Sequence, residues 1–319
     1  MAPAYLLKRL LTLLATLLAA SLLVFGVLEL LPGNAAQLLM GPDAAPEAVA
    51  ALAHKLHLDD AAVTRYFHWL GGLLTGELGD SYAYGTPVSA LIAERLALTV
   101  PLALLAMALA AVLALAAGVF AAARHDRLGD WLVSGLAQLG IALPNFWFAI
   151  LLVLVFSVGL RWLPAGGFPG WAEGPGPALQ ALALPTVALA VVQAAILARV
   201  TRGAVLAQLQ EDYVRSARAK GLSRGAALWG HVLRNAMVPV LTVMGLQFAN
   251  LLAGTIVVEN VFYLPGLGRL IFQAIANRDL TVVRDCVMLL VAMVVLVNFL
   301  VDVLAALIDP RLQQQAEAS

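Results

Sequence analysis

Residues 10–31 read LLTLLATLLAASLLVFGVLELL, and the reading of this stretch decides the fold class. Its 22 residues hold one charge, Glu29. As a single helix it is about 33 Å long, close to the thickness of a bilayer's hydrocarbon core. The rival reading is a cleaved secretory leader, since Lys8 and Arg9 supply a basic start. A leader's apolar segment runs only about 7–15 residues, and Asn34-Ala35-Ala36 is a poor cleavage site. The stretch therefore reads as an uncleaved transmembrane helix.

Five further runs have the same character, at 96–122, 133–160, 182–198, 238–258 and 286–308. Across all six, only Glu29 and Asp302 are charged. The whole chain of 319 residues is 62% apolar and 12% charged. Soluble domains carry about 45–50% and about 25%, so a protein core cannot absorb the surplus and the solvent must be lipid. The fold class expected is an all-α polytopic membrane protein with six transmembrane helices. A net charge of zero argues against nucleic acid as a partner. The single Cys286 rules out an internal disulfide and reads as a small core residue.

Lys and Arg set the orientation. With the N-terminus in the cytoplasm, segments 1–9, 123–132, 199–237 and 309–319 lie inside and carry 12 of the 19 basic residues. The longer outer segments 32–95, 161–181 and 259–285 carry 7. Positive charge collects on the cytoplasmic side, so both termini are expected there. Segment 32–95 becomes a long extracytoplasmic loop between helices 1 and 2. Within it, Pro46 followed by Val49, Leu52, Ala53 and Leu56 has helical spacing, and so has Val63, Tyr66, Phe67, Leu70, Leu74. These short helices form either a lid over the bundle or a docking platform. His54, His57 and His68 raise a metal site, but closed sites need three or four convergent ligands and nothing fixes a third, so no metal is expected. Segment 161–181, with nine Gly or Pro among 161–179, reads as irregular and anchored by Trp162 and Trp171. PGLGRLIFQAIANRD (265–279) reads as a turn and a short amphipathic helix.

Polar groups within the spans are few. Asn145 follows Pro144, where a kink is expected. Gln193, Gln247, Asn250 and Asn298 are also intramembrane. Such amides serve as interhelical glue or line a route for a polar solute, and both readings stand at this stage. Asp302 is expected to form a structural ion pair with Arg199 or Arg202. No GxxxxGK[ST] or HExxH occurs, so neither a phosphate-binding loop nor a catalytic residue is expected. Little in the spans suggests the broken, charged helices of a secondary carrier.

One segment breaks the apolar pattern. EDYVRSARAKGLSRGAALWGHVLRN (211–235) holds five Lys or Arg and two carboxylates within the largest cytoplasmic loop. Residues 213–224 have helical composition, Gly221 punctuates them, and Ser223 can cap the residues after it. YVRSARAKGLSRGAALWGHVLRNAMVPV resembles the EAA loop of ABC-importer permeases, in the form found in bacterial dipeptide, oligopeptide and nickel importers. The likeness extends through LHLD, RYFHWL, LPNFWFAILL, WLPAGGF, GTIVVENVFYLPGLGRL, the Arg278-Asp279 pair and IDPRL.

The resemblance implies a type I ABC-importer permease in the bacterial inner membrane. Its division is a first helix with the outer loop (1–94), a permease domain (95–308) with the EAA-like loop at 211–239, and a cytoplasmic tail (309–319). Arg215, Ser216 and Ala217 stand at the motif's Glu-Ala-Ala and Gly221 at its glycine, so the signature glutamate is absent and attention moves to Arg215, Arg218 and Lys220. The implied partners are a homologous second permease, two ABC ATP-binding subunits and an extracytoplasmic solute-binding protein, besides membrane lipid. This chain is expected to bind no cofactor, ATP and Mg²⁺ residing on the ATP-binding subunits. Di- or oligopeptides are the expected solute, with nickel or glutathione as alternatives within the class. A channel or secondary carrier working without ATP is the rival from another class.

Overall fold

The computed structural model describes residues 3–30, 35–41, 44–55 and 58–308. Their backbone is helical almost throughout, with one isolated β-bridge, Asp80 to Pro87. In chain order the first helices are α1 (Pro3–Glu29), α2 (Ala35–Met40), α3 (Pro46–Lys55), α4 (Ala62–Thr75) and α5 (Val88–Ala123). Then come α6 (Leu128–Ala142), α7 (Asn145–Leu152), α8 (Pro175–Leu209), α9 (Asp212–Ala219) and α10 (Arg224–Ala227). The last are α11 (Leu233–Val261), α12 (Leu267–Ala276) and α13 (Leu280–Ile308). Residues Leu228–Val232 form a π-helical turn that joins α10 and α11 into one helix, Arg224–Val261. The tail 309–319 lies outside the described residues.

Five of these helices are long and apolar enough to cross a membrane: α1, α5, α8, α10–α11 and α13. The expected third span is broken. α6 and the segment Asn145–Gly159 meet at 102°. The break falls where Leu143 and Pro144 are extended, because proline lacks an N–H and disfavours the helical conformation in the residue before it. Parity decides how the pair is used. Near the start of α1, the Tyr5 hydroxyl donates to the Asp302 carbonyl at 3.3 Å, close to the end of α13. The first span begins on the side where the last one ends. The number of crossings is therefore even, and the broken pair makes the sixth.

The fourth span is longer than its apolar core. α8 begins at Pro175, inside the stretch 161–181 expected to be irregular, and runs to Leu209. Proline is tolerated at a helix's first turn, where its missing N–H has no partner to lose. Only the short turn Trp171–Glu173 interrupts the loop before it, and Gly167 N–H donates to the Phe262 carbonyl at 2.8 Å.

The chain divides into two compact units. One comprises Met1–Leu11, Val100–Leu264 and Leu296–Ser319. Its centre is α8, packed against α6, α7 and α11. The buried face of α8 mixes leucines such as Leu182, Leu189 and Leu197 with small residues such as Ala188, Ala194 and Ala198. Lipid tails are as apolar as leucine, so helices in a membrane associate where small side chains let backbones approach. One such close approach is at Gly118 of α5. A Cβ there would lie 2.6 Å from Thr201 Cβ and 2.7 Å from the Ala198 carbonyl oxygen.

The other unit comprises Thr12–Thr99 and Pro265–Val295. Val88 and Ile92 of α5 pack with Leu267, Leu270, Ile271 and Ala274 of α12, and with Val282 and Cys286 of α13. Cys286 is fully buried there, as a small core residue. The turn and short helix expected at 265–279 are present. α12 opens with Leu267 N–H donating to Thr99 Oγ1 at 2.8 Å. Buried Asp279 accepts from Ser81 Oγ at 2.6 Å, Ala83 N–H at 3.1 Å and Val282 N–H at 3.3 Å. It thus ties the loop before α5 to the first turn of α13. α4 departs from expectation, for its apolar stripe splits: Tyr66 is buried with Trp69, whereas Val63, Phe67 and Leu74 are exposed.

Candidate functional site

The charged segment 211–235 folds as its composition suggests. α9 carries Arg215, Ser216, Ala217 and Arg218, and its last turn is closed by Lys220 N–H on the Ser216 carbonyl at 3.1 Å. Gly221 then takes φ +96° with nothing within 4 Å of a Cβ position. Its role is the left-handed turn, not a close approach. The chain reverses with Leu222 N–H on the Ala217 carbonyl at 3.3 Å. Ser223 caps α10 by accepting from Ala226 N–H at 3.2 Å, satisfying one of the donors that a helix start leaves unpaired.

One side chain seats this hairpin. Val214, 2% exposed, packs with Val119 and Ala122 of α5, Val205 of α8, Ala227 of α10, Val232, and Ala236 of α11. Burying a valine stabilises by roughly 2 kcal/mol. Tyr213 adds a hydrogen bond from its hydroxyl to Gln208 Oε1 at 2.7 Å. The opposite face is charged and open: Arg215, Arg218, Lys220 and Arg224 are all exposed. Among the described residues Arg215 makes only the local pair with Asp212 at 3.2 Å, which contributes little at such exposure. The hairpin is therefore firmly based, with a basic outer surface that the fold of this chain does not use.

Beside it lies a cluster that sequence reasoning missed. Arg202 of α8 donates to both oxygens of Asp130, in the first turn of α6, from Nε at 2.5 Å and Nη2 at 2.7 Å. Asp126 N–H reaches Asp130 Oδ2 at 3.1 Å, and His125 Nδ1 lies 3.2 Å from that oxygen. Asp130 is 3% exposed and precedes the apolar run 133–160. His125, Asp126 and Asp130 present ligand atoms within 4.8 Å of one another. The bidentate guanidinium already occupies Asp130, so the cluster reads as a latch between α6 and α8. Arg202→Met strands the buried carboxylate, which costs about 3–5 kcal/mol for a fully buried pair and less here because Arg202 is partly exposed, read as a lowered Tm of the purified complex. Asp130→Asn should cost less, because it leaves no unpaired buried carboxylate. An unchanged Tm in Arg202→Met would remove the latch.

This geometry corrects one expectation. Asp302 pairs with Arg9 at 2.9 Å, not with Arg199 or Arg202. Arg202 is committed to Asp130, and Arg199 is exposed. The intramembrane amides divide as well. Gln247 Nε2 donates to Gln193 Oε1 at 2.9 Å, joining α11 to α8, and both residues are buried. That pair is interhelical glue. Asn250 donates to Gln247 Oε1 at 2.8 Å but is itself exposed on α11. Asn145 is half-buried at the start of α7, its Nδ2 2.9 Å from where a Cβ on Gly254 would stand. Of the outer histidines, His54 is exposed on α3, His68 is exposed on α4, and His57 lies outside the described residues.

Comparison with known proteins supplies the family. The binding-protein-dependent transport system inner membrane component matches residues 114–314, and the N-terminal membrane component of such systems matches residues 3–103. A Brucella melitensis protein named as a peptide transport system permease is 42% identical over 313 residues, spanning 98% of this chain and 99% of its own. The dipeptide transport system permease protein DppB of Alkalihalophilus pseudofirmus is 36% identical over 330 residues, spanning 97% and 99%. The glutathione transport system permease protein GsiC of Salmonella typhimurium is 41% identical over 309 residues, spanning 97% and 98%. With six helical crossings and a seated basic hairpin between the fourth and fifth, the chain belongs to the family of binding-protein-dependent transport system inner membrane components, the multi-pass permease subunits of ABC importers.

Proposed function

We propose that this permease carries short peptides inward as one of two homologous halves of a pathway, driven by two ATP-binding subunits and supplied by an extracytoplasmic binding protein. The observation that carries the reading is the hairpin. Val214 fixes it to the ends of α5, α8 and α11, while Arg215, Arg218 and Lys220 stay exposed, able to meet another protein. A nucleotide-driven displacement of the hairpin reaches the spans through that same cluster, because packed helices move as bodies. ATP and Mg²⁺ belong to the partner subunits in this reading, and the chain itself performs no chemistry.

Peptides lead as substrate because the relatives described above are named for peptide, dipeptide and glutathione transport. Glutathione is itself a γ-linked tripeptide. Nickel falls behind, because none of the relatives described above is named for it and Arg202 already occupies Asp130 in the His125, Asp126 and Asp130 cluster. The test is uptake by vesicles holding all subunits and the binding protein. ATP-dependent entry of a labelled dipeptide, blocked by other peptides and unaffected by Ni²⁺, is expected. Nickel entry without peptide entry would overturn the substrate assignment, and peptide entry without the ATP-binding subunits would overturn the class.

Basic bias and parity support a topology with both termini and the hairpin in the cytoplasm. Asp60 is exposed between α3 and α4. In a Cys286→Ser background, Asp60→Cys should react with a membrane-impermeant maleimide from the extracytoplasmic side only. Labelling solely from the cytoplasmic side would invert the arrangement.

A further inference from the structure

α4 presents three distinct faces. At 100° per residue, Val63, Phe67 and Leu74 fall within about 40° of one another, and Thr64, His68 and Thr75 form a neighbouring stripe of similar width. Both stripes are exposed. The remaining face carries the two buried residues, Tyr66 and Trp69. They pack with Val24 and Phe25 of α1 and Met288 of α13. Phe25 lies edge-on to Tyr66, centroids 5.4 Å apart, and stacks on Trp69 at 5.9 Å. Trp69 Nε1 donates to buried Asp285 Oδ1 at 2.7 Å, and Arg65 pairs with Glu29 at the end of α1.

These contacts fix the depth of α4. The Tyr66 hydroxyl lies 2.8 Å from Ser21 Oγ. Ser21 is eight residues, about 12 Å along the helix axis, before Glu29, and sits at the middle of the apolar run 10–31. Leu17, deeper still, packs against the same cluster. α4 is thus held alongside the outer half of a membrane span, where an exposed side chain meets acyl chains unless protein covers it. The flanking surface of α1 has the same character, with Leu22, Leu23 and Val27 each more than half exposed. On α4, Val63 is 67% exposed, Phe67 63% and Leu74 84%. An apolar stripe beside a polar one, without a run long enough to span, is the pattern of a helix lying in the interface plane.

We propose that α4 is an interfacial membrane helix, with Val63, Phe67 and Leu74 inserted among the lipid acyl chains of the outer leaflet and Thr64, His68 and Thr75 turned to water. The apolar stripe is then a lipid contact, not a docking platform for the binding protein. The contacts that hold α4 alongside the apolar run of α1 favour lipid as the occupant.

Nitroxide labelling tests this on the complete transporter, reconstituted in phosphatidylethanolamine–phosphatidylglycerol vesicles with the binding protein added. In a Cys286→Ser background, Phe67→Cys and Leu74→Cys are compared with Thr64→Cys and His68→Cys, and Val63→Cys serves if a label at 67 or 74 prevents assembly. Relaxation by molecular oxygen, which partitions into lipid, should exceed that by a water-soluble nickel chelate several-fold at 67 and 74, with the order reversed at 64 and 68. Equal chelate access at all four positions would show that the stripe faces water. Labels at 67 and 74 that are immobilised and closed to both reagents would show that a protein covers it. Either result overturns the proposal.

Discussion

Reversing the charge at the hairpin tip, with Arg218→Glu and Lys220→Glu together, should leave the subunit inserted and abundant while transport-coupled ATP hydrolysis falls at least about tenfold. Both side chains are exposed, and surface charges seldom contribute more than ~1 kcal/mol to folding. At a protein interface the balance differs. Losing a buried, hydrogen-bonded charge costs roughly 2–5 kcal/mol, and each ~1.4 kcal/mol is tenfold in affinity. Gly221→Val should act in the same direction. Its space is open, but φ +96° is a conformation that a β-branched residue resists. The turn then opens, and the basic residues lose their placement relative to Val214. Permease abundance in membranes is quantified first, then co-purified ATP-binding subunit and stimulated turnover. Full coupled hydrolysis in both variants would free the hairpin of this role.

Gly118→Leu should have the opposite signature, with loss of the folded subunit itself. Even a Cβ at that site stands 2.6 Å from Thr201 Cβ and 2.7 Å from a backbone oxygen of α8. Neither neighbour is the far end of a flexible side chain, so α5 and α8 must move apart. Overpacking costs ~1–3 kcal/mol in well-packed cores and more where backbone must shift. Total stabilities are only about 5–15 kcal/mol. Gly118→Ala should already lower Tm, and Gly118→Leu should abolish a monodisperse complex. Gly135→Ala is the matched control, since nothing lies within 4 Å of its Cβ position. Wild-type abundance and Tm in Gly118→Ala would mean that this crossing yields without cost.

The crossings were legible because each apolar run answers to lipid thickness, a constraint independent of tertiary detail. Their ends were less so. The run 182–198 understates α8, since Pro175 can open a helix and the residues beyond Arg199 keep helical form without being apolar. Pro144 announced a kink, but the size of the 102° break depends on what α6 and α7 pack against. Pairing was the least legible. The position of Asp302 in its run gave its depth, yet at that depth Arg9 and Arg202 are equivalent until the helices are arranged. The hairpin could be read well, because α9, the Gly221 turn and the Ser223 cap are local events. α4 shows the limit of periodicity. Apolar spacing marks residues that avoid water, and Tyr66 does so in a protein core whereas Phe67 is exposed.

The central claim is that the hairpin meets an ATP-binding subunit, and proximity tests it most directly. Arg218→Cys, in a Cys286→Ser background, is treated with a short thiol-to-amine cross-linker in the fully assembled transporter. The expected product is a covalent adduct of permease and ATP-binding subunit, absent when the same reagent is attached through Thr64→Cys on α4. An intact complex that yields no such adduct at position 218 would contradict the account.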